Sequence, residues 1–390
     1  MSLHWRIAKL AAIVYFIQGS LGIANVAFPL YLRAQGFSIA KIAWLTAVGA
    51  FPWYCKIIYG AVSDAIPLWG LRRKPYLVIC SAFSSIGWCL LSVLPPNEMC
   101  LIVAMSVANL GLAATDVITD GLVVEHSVAG TAQIYQGISW GARSIGSVIA
   151  GVTGGILAAR YPANFIFLLT AMLPLTSLVA ALFVQEDPVR REQKKQNILT
   201  PIRDSFRYLL RGDLKWLSLL LLIASGSAAI GTPLFFYLRE KLGFDEVFLG
   251  VLGSVAWAGA ILGCLVFLTG SRHLSLKTTL YWAVGVAFVD ALLALLIRSQ
   301  ISALSMTLFS GILGYMTLLP LLSSAAKLSH ATGIESSLFA ILASLFNMGQ
   351  AGSSIAGGFL YEQVGLKALI LMTAAFVLLG FLVVPRLKVL

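Results

Sequence analysis

A chain of 390 residues of which 59% are hydrophobic and 11% charged has too little polar surface to coat a water-soluble globule of its size, which leaves lipid as its solvent. Its formal net charge of +11 is scattered in short clusters between apolar runs, without a basic face or interleaved stacking aromatics, and this excludes nucleic acid as a partner. The 5 cysteines and 4 histidines show no metal, haem or redox spacing. With no nucleophile elbow, phosphate-binding glycine loop or paired-histidine signature either, no enzyme, metal or other cofactor is expected.

A helix needs roughly 20 apolar residues to cross the hydrocarbon. Windows of that length predict twelve spans, at 10–32, 40–62, 75–94, 99–123, 132–157, 163–184, 214–238, 247–269, 278–297, 302–325, 334–359 and 366–385. The run from Met1 to Lys9 leads straight into the first span, so no removed signal or transit segment is expected.

Span two carries Trp53 and Lys56. The lysine is near the cytoplasmic end, where its stem can snorkel to the interface, the alternative being a substrate contact. The following loop runs Gly60-Ala61-Val62-Ser63-Asp64, then Gly70-Leu71-Arg72-Arg73-Lys74-Pro75-Tyr76. Gly60 admits a neighbouring helix, and Asp64 at a helix end can pair with Arg72, Arg73 or Lys74 and latch one conformation. Plain topological signalling by the basic residues is the alternative.

Span four places Asn109, Asp116 and Asp120 on one helical face. A carboxylate at membrane depth costs at least ~2–3 kcal/mol unless it is paired, protonated or facing water. Both aspartates are therefore expected to face the interior, for proton coupling, substrate contact or a structural ion pair. Glu125 follows as a latch or helix-end charge.

Arg143 is deep in span five and cannot lose its proton, so it requires Asp116, Asp120 or a bound anion as partner. Trp140 beside it is, with Trp53 and Trp257, one of several aromatics able to line a cavity. Glycines at 137, 141, 146, 151, 154 and 155, and again at 349, 352, 357 and 358, favour close helix crossings. Asn347 and Gln350 in span eleven can serve as inter-helix hydrogen bonds or weak ligand contacts.

The interval Gln185 to Asp213, with Glu186, Asp187, Arg190, Arg191, Lys194 and Lys195, is the longest polar stretch. It is expected to be a cytoplasmic linker (185–213) between an N-terminal six-helix bundle (1–184) and a C-terminal one (214–390). The bias of Lys and Arg, including Arg272 and Lys327, places both termini in the cytoplasm. Internal similarity supports two halves: Tyr31-Leu32-Arg33 matches Tyr237-Leu238-Arg239, and Gly146-Ser147-Val148-Ile149-Ala150-Gly151 matches Gly352-Ser353-Ser354-Ile355-Ala356-Gly357. An even number of spans per half makes the repeats parallel, as in the major facilitator fold.

The stretch Lys56 to Tyr76, K-x-x-Y-G-x-x-S-D-x-x-P-x-x-G-x-R-R-x-P-Y, resembles the folate–biopterin transporter family within the major facilitator superfamily. The stretch Asp116 to Glu125, D-x-x-x-D-x-x-V-V-E, resembles that family's second hallmark. The resemblance implies an all-α integral membrane fold of twelve helices and transport of pterin- or folate-like compounds, commonly with protons.

Together these readings lead to an expected secondary active transporter in a bacterial inner membrane, acting as a monomer. It takes up an organic anion with protons by rocking of two bundles around a midplane cavity. Asp116 and Asp120 exchange protons, Arg143 meets the anion, and Gly60, Asp64, Arg72, Arg73, Lys74 and Glu125 form the gate. Lys56, Trp53, Trp140 and Asn347 are weaker cavity candidates. Export or exchange of another amphipathic metabolite, and a membrane receptor without turnover, are the alternatives.

Overall fold

The computed structural model describes residues 4–126, 132–186, 188, 199–271, 274–329 and 335–388. Asp187, Arg190, Arg191, Lys194, Lys195, Arg272, His273 and His330 lie outside the described residues. The described chain is helical almost throughout.

Among the described residues, ten helical runs are long and apolar enough to cross a membrane. The last, Ser337–Arg386, is 50 residues long and leaves the helix at Gly365, with φ 76° and ψ 173°, a conformation that suits glycine. It therefore supplies spans eleven and twelve. Span two is present in pieces: a helix Ile39–Gly49, a 3-10 turn Phe51–Cys55 and a helix Lys56–Ala65. Pro52 in the turn has no N–H for the helical ladder, so neither piece has the length of a straight span. With these two resolved, the twelve spans expected from hydropathy are all accounted for.

The chain forms two compact units, Met1–Gln35 with Val48–Thr200, and Gly36–Ala47 with Pro201–Leu390. The first piece of span two thus belongs with the second unit, where the Ala40 N–H donates to Glu362 at 2.9 Å. Within the polar interval, Leu199–Leu209 is a short helix.

Small residues set the closest crossings in the first unit. A Cβ on Gly87 of span three would collide with the Ala108 backbone of span four, and one on Gly111 of span four with the backbone of Cys80 and Ser84. Of the glycines expected to mediate crossings, Gly146 and Gly154 meet span one and Gly349 and Gly357 meet span seven, whereas Gly137, Gly141 and Gly352 face open space.

The internal repeat extends to the contacts themselves. The offset that carries Tyr31 to Tyr237 also carries Gly19 to Ser225 and Arg143 to Gly349. In the first unit Gly19 lies against the backbone carbonyl of Arg143, and in the second Gly349 lies against the Ser225 side chain. Span one meets five as span seven meets eleven.

An apolar cluster that includes Ile7, Leu10, Leu77, Ile118, Leu122 and Tyr135 buries one face of span four. Residues two positions away point to the opposite side of a helix. With Ile118 and Leu122 fixed in this cluster, Asp116 and Asp120 lie off it and meet polar residues of spans one and two.

Candidate functional site

Span four, Glu98–His126, organises a polar column in the first unit. At its upper part Asn109 accepts a hydrogen bond from Trp53 Nε1 at 2.8 Å through Oδ1 and donates through Nδ2 to the carbonyls of Gly49 (3.1 Å) and Met105 (2.9 Å). The amide thereby pins the broken middle of span two, and Trp53 in turn carries Lys56 Nζ 4.6 Å above its ring.

Lys56 does not run out to the interface as its position in the sequence suggests. Its Nζ lies 2.7 Å from Asp116 Oδ2, and the other carboxylate oxygen accepts from Gln18 Nε2 at 2.9 Å. Asp116 is 5% exposed. An ion pair so deeply buried persists only because opposite charge and hydrogen bonds offset the loss of water.

One turn further along, Asp120 Oδ1 accepts from the Tyr15 hydroxyl at 2.6 Å. The Tyr15 and Trp140 rings are 6.4 Å apart, and the Arg143 guanidinium stands 5.1 Å from the Trp140 ring centre. The charge of Arg143 acts on both aspartates. Two carboxylates, two cations, a phenol and an amide thus gather within one unit, and the expected residues Asp116, Asp120, Arg143, Lys56, Trp53 and Trp140 all belong to this group. Asn347 does not: it lies on span eleven in the second unit, where Phe346 and Gln350, not Asn347, line a cavity.

The loop after span two forms a second cluster. Arg73, buried, pairs with Asp64 Oδ1 at 2.5 Å and Glu125 Oε1 at 2.6 Å, and donates to Ser63 Oγ at 2.8 Å. The planar guanidinium fork suits this multiple engagement. Gly60 runs beside Val117 of span four. Ahead of the helix Lys74–Val93, the backbone N–H groups of Arg72, Arg73 and Lys74 converge on the Glu186 carboxylate at 2.7–3.0 Å, which is how a helix N-terminus binds an anion. Lys74 Nζ donates to the Leu182 carbonyl at 2.7 Å. Of the three basic residues grouped by the sequence, Arg73 engages the acidic pair Asp64 and Glu125, while Arg72 and Lys74 join it in holding Glu186 through the backbone.

Leu68 and Leu71 exchange backbone hydrogen bonds at 2.9 Å across a two-residue turn, with Trp69 at φ 50° and Gly70 at φ 77°. Two successive positive φ values define a tight hairpin turn for which glycine is suited at the second place.

The sequence profile of the BT1 family matches residues 18–379. This chain is a member of the BT1 family. It is 26% identical to the folate-biopterin transporter of Synechocystis sp. over 93% of this chain and 76% of that protein. The probable folate-biopterin transporter 4 of Arabidopsis thaliana is 26% identical over 92% of this chain and 89% of that protein. The crystal structure of the nucleoside transporter NupG matches with a TM-score of 0.78 at 14% identity, over 100% of both chains, which gives the fold as that of the major facilitator transporters. This BT1 family member is a multi-pass membrane transporter and not an enzyme, as the resemblance in its two hallmark stretches implies.

Tyr15 and Gln18, which hold the two aspartates, were not among the residues singled out in the sequence. Their signal is modest: Gln18 is an amide within an apolar run, and Tyr15 precedes it by three residues, on the same helical face.

Proposed function

We propose that this chain takes up a folate- or pterin-like organic anion together with protons, by alternating access, as a monomer in a cell inner membrane with both termini cytoplasmic. The observation that carries this reading is the buried column in which Lys56 pairs with Asp116 while Asp120, four residues on, is held by the neutral Tyr15 hydroxyl. Asp116 has a dedicated cation, so its charge stays balanced. Asp120 shares the influence of Arg143, and a proton arriving on Asp120 releases that cation for an anionic substrate. Loss of the proton returns Arg143 to Asp120 and weakens its hold on the substrate. Binding and proton loading are thereby tied together at one arginine.

The pairs of Arg73 with Asp64 and Glu125 act in this scheme as a latch that stabilises one conformation of the cycle. The names of the relatives support the substrate class.

Uptake of radiolabelled folate and pterin into proteoliposomes, with and without an imposed pH gradient, tests the reading. Wild type is expected to accumulate substrate only with the gradient. Asp120→Asn is expected to abolish accumulation while retaining exchange of substrate across the membrane at equal pH, because exchange needs no net proton movement. Gradient-driven accumulation by Asp120→Asn at the wild-type level would remove Asp120 from the coupling scheme.

A further inference from the structure

In the second unit, spans seven to eleven line an open cavity of about 360 Å³, within the roughly 300–1,000 Å³ usual for small-molecule sites. Its wall includes Trp257, Asp290, Ser310, Gly314, Tyr315 and Gln350. The Trp257 and Tyr315 rings are 6.3 Å apart and inclined by 64°, and they provide flat apolar surface. Among the described residues, neither Lys nor Arg is part of the wall.

Asp290 is a carboxylate within an apolar span, Leu276–Leu296, where such a group needs a partner. Ser310 lines the same cavity. The Oδ1 oxygen is buried and has no hydrogen-bond partner among the described residues. A carboxylate offers about four acceptor positions, so the group has capacity for two adjacent N–H donors once a turn of the side chain presents the enclosed Oδ1 to the cavity.

We infer that this cavity is a binding site for a flat heteroaromatic ring carrying a cyclic amidine edge, with Asp290 accepting from the ring N–H and the neighbouring exocyclic amino group while Trp257 and Tyr315 contact the ring. The inference rests on the substrate reading above, since a pterin head presents such an edge. It adds what that reading lacks: a group, Asp290, that selects for the ring. A carboxylate rejects a ring with a carbonyl in place of the amino group, because two acceptors then face each other.

The test is equilibrium binding to the purified full-length chain in lipid nanodiscs, with folate, pterin, and lumazine, in which the amino group of pterin is replaced by oxygen. Wild type is expected to bind pterin at least about tenfold more tightly than lumazine, the loss expected for a charge-assisted hydrogen bond. Asp290→Asn is expected to erase that preference. Gly314→Leu leaves Asp290 in place and projects a side chain from a position where a Cβ meets nothing within 4 Å, and it is expected to weaken pterin binding about tenfold or more. Full pterin preference in Asp290→Asn, or wild-type pterin affinity in Gly314→Leu, overturns this site while folate and pterin transport stands. Failure of wild type to bind either folate or pterin overturns the substrate reading and this inference with it.

Discussion

A Cβ at Gly121 would lie 2.9 Å from the guanidinium carbon of Arg73, so the arginine reaches Asp64 and Glu125 only because span four presents bare backbone at that point. Gly121→Ala is expected to displace the guanidinium, cost about 1–3 kcal/mol of stability and impair uptake. Thermal unfolding in detergent and proteoliposome uptake check it together. A variant that melts and transports as wild type does would mean that Arg73 is not held by this contact.

The Lys56 and Asp116 pair is expected to be strongly interdependent. Lys56→Met alone leaves a buried uncompensated carboxylate and is expected to destabilise by about 3–5 kcal/mol. Adding Asp116→Asn removes the orphaned charge and is expected to recover most of that loss without restoring transport. Melting temperatures of the two single variants and the double variant form the cycle, and additive losses would argue against a buried pair.

Tyr15→Phe removes one hydroxyl and keeps the ring beside Trp140. The lost bond to Asp120 is charge-assisted when the carboxylate is ionised, worth about 1.5–3 kcal/mol, so gradient-driven uptake is expected to slow about tenfold or more. Exchange at equal pH is expected to stay within about twofold. An equal slowing of both would assign Tyr15 to substrate binding instead of coupling.

Glu186 is expected to act on the backbone of the loop. Glu186→Gln retains the shape and removes the charge that faces three amides and a helix N-terminus, for an expected loss of about 1 kcal/mol. Hydrogen exchange at the amides of Arg72, Arg73 and Lys74 is the direct measure. It should accelerate in the variant, and unchanged protection would separate Glu186 from the ordering of this loop.

The spans were legible in the sequence because hydrocarbon thickness imposes a length that apolar runs must meet, and the aspartates of span four were legible because a charge in such a run has to face inward. Partners were harder. Lys56 stands near a span end, where snorkelling is the ordinary outcome, and only the broken path of span two around Pro52 brings it to Asp116. Tyr15 and Gln18 are ordinary residues for a membrane helix until the crossing of spans one and four is known. Glu186 is held by backbone N–H groups, which leave no mark in a sequence. Asp290 became visible as a candidate only when its span was seen to share a cavity with Trp257 and Tyr315.

The exchange of roles between Gly19 with Arg143 and Ser225 with Gly349 separates scaffolding from chemistry. At this one point of the crossing a single glycine suffices for close approach, and the two copies place it on opposite members of the helix pair. In the first copy the glycine is on span one, so span five is free to carry an arginine whose backbone, not its side chain, makes the contact. A duplicated architecture can in this way install a charge in one copy and leave the corresponding place in the other empty, with the same two helices meeting at the same point in both.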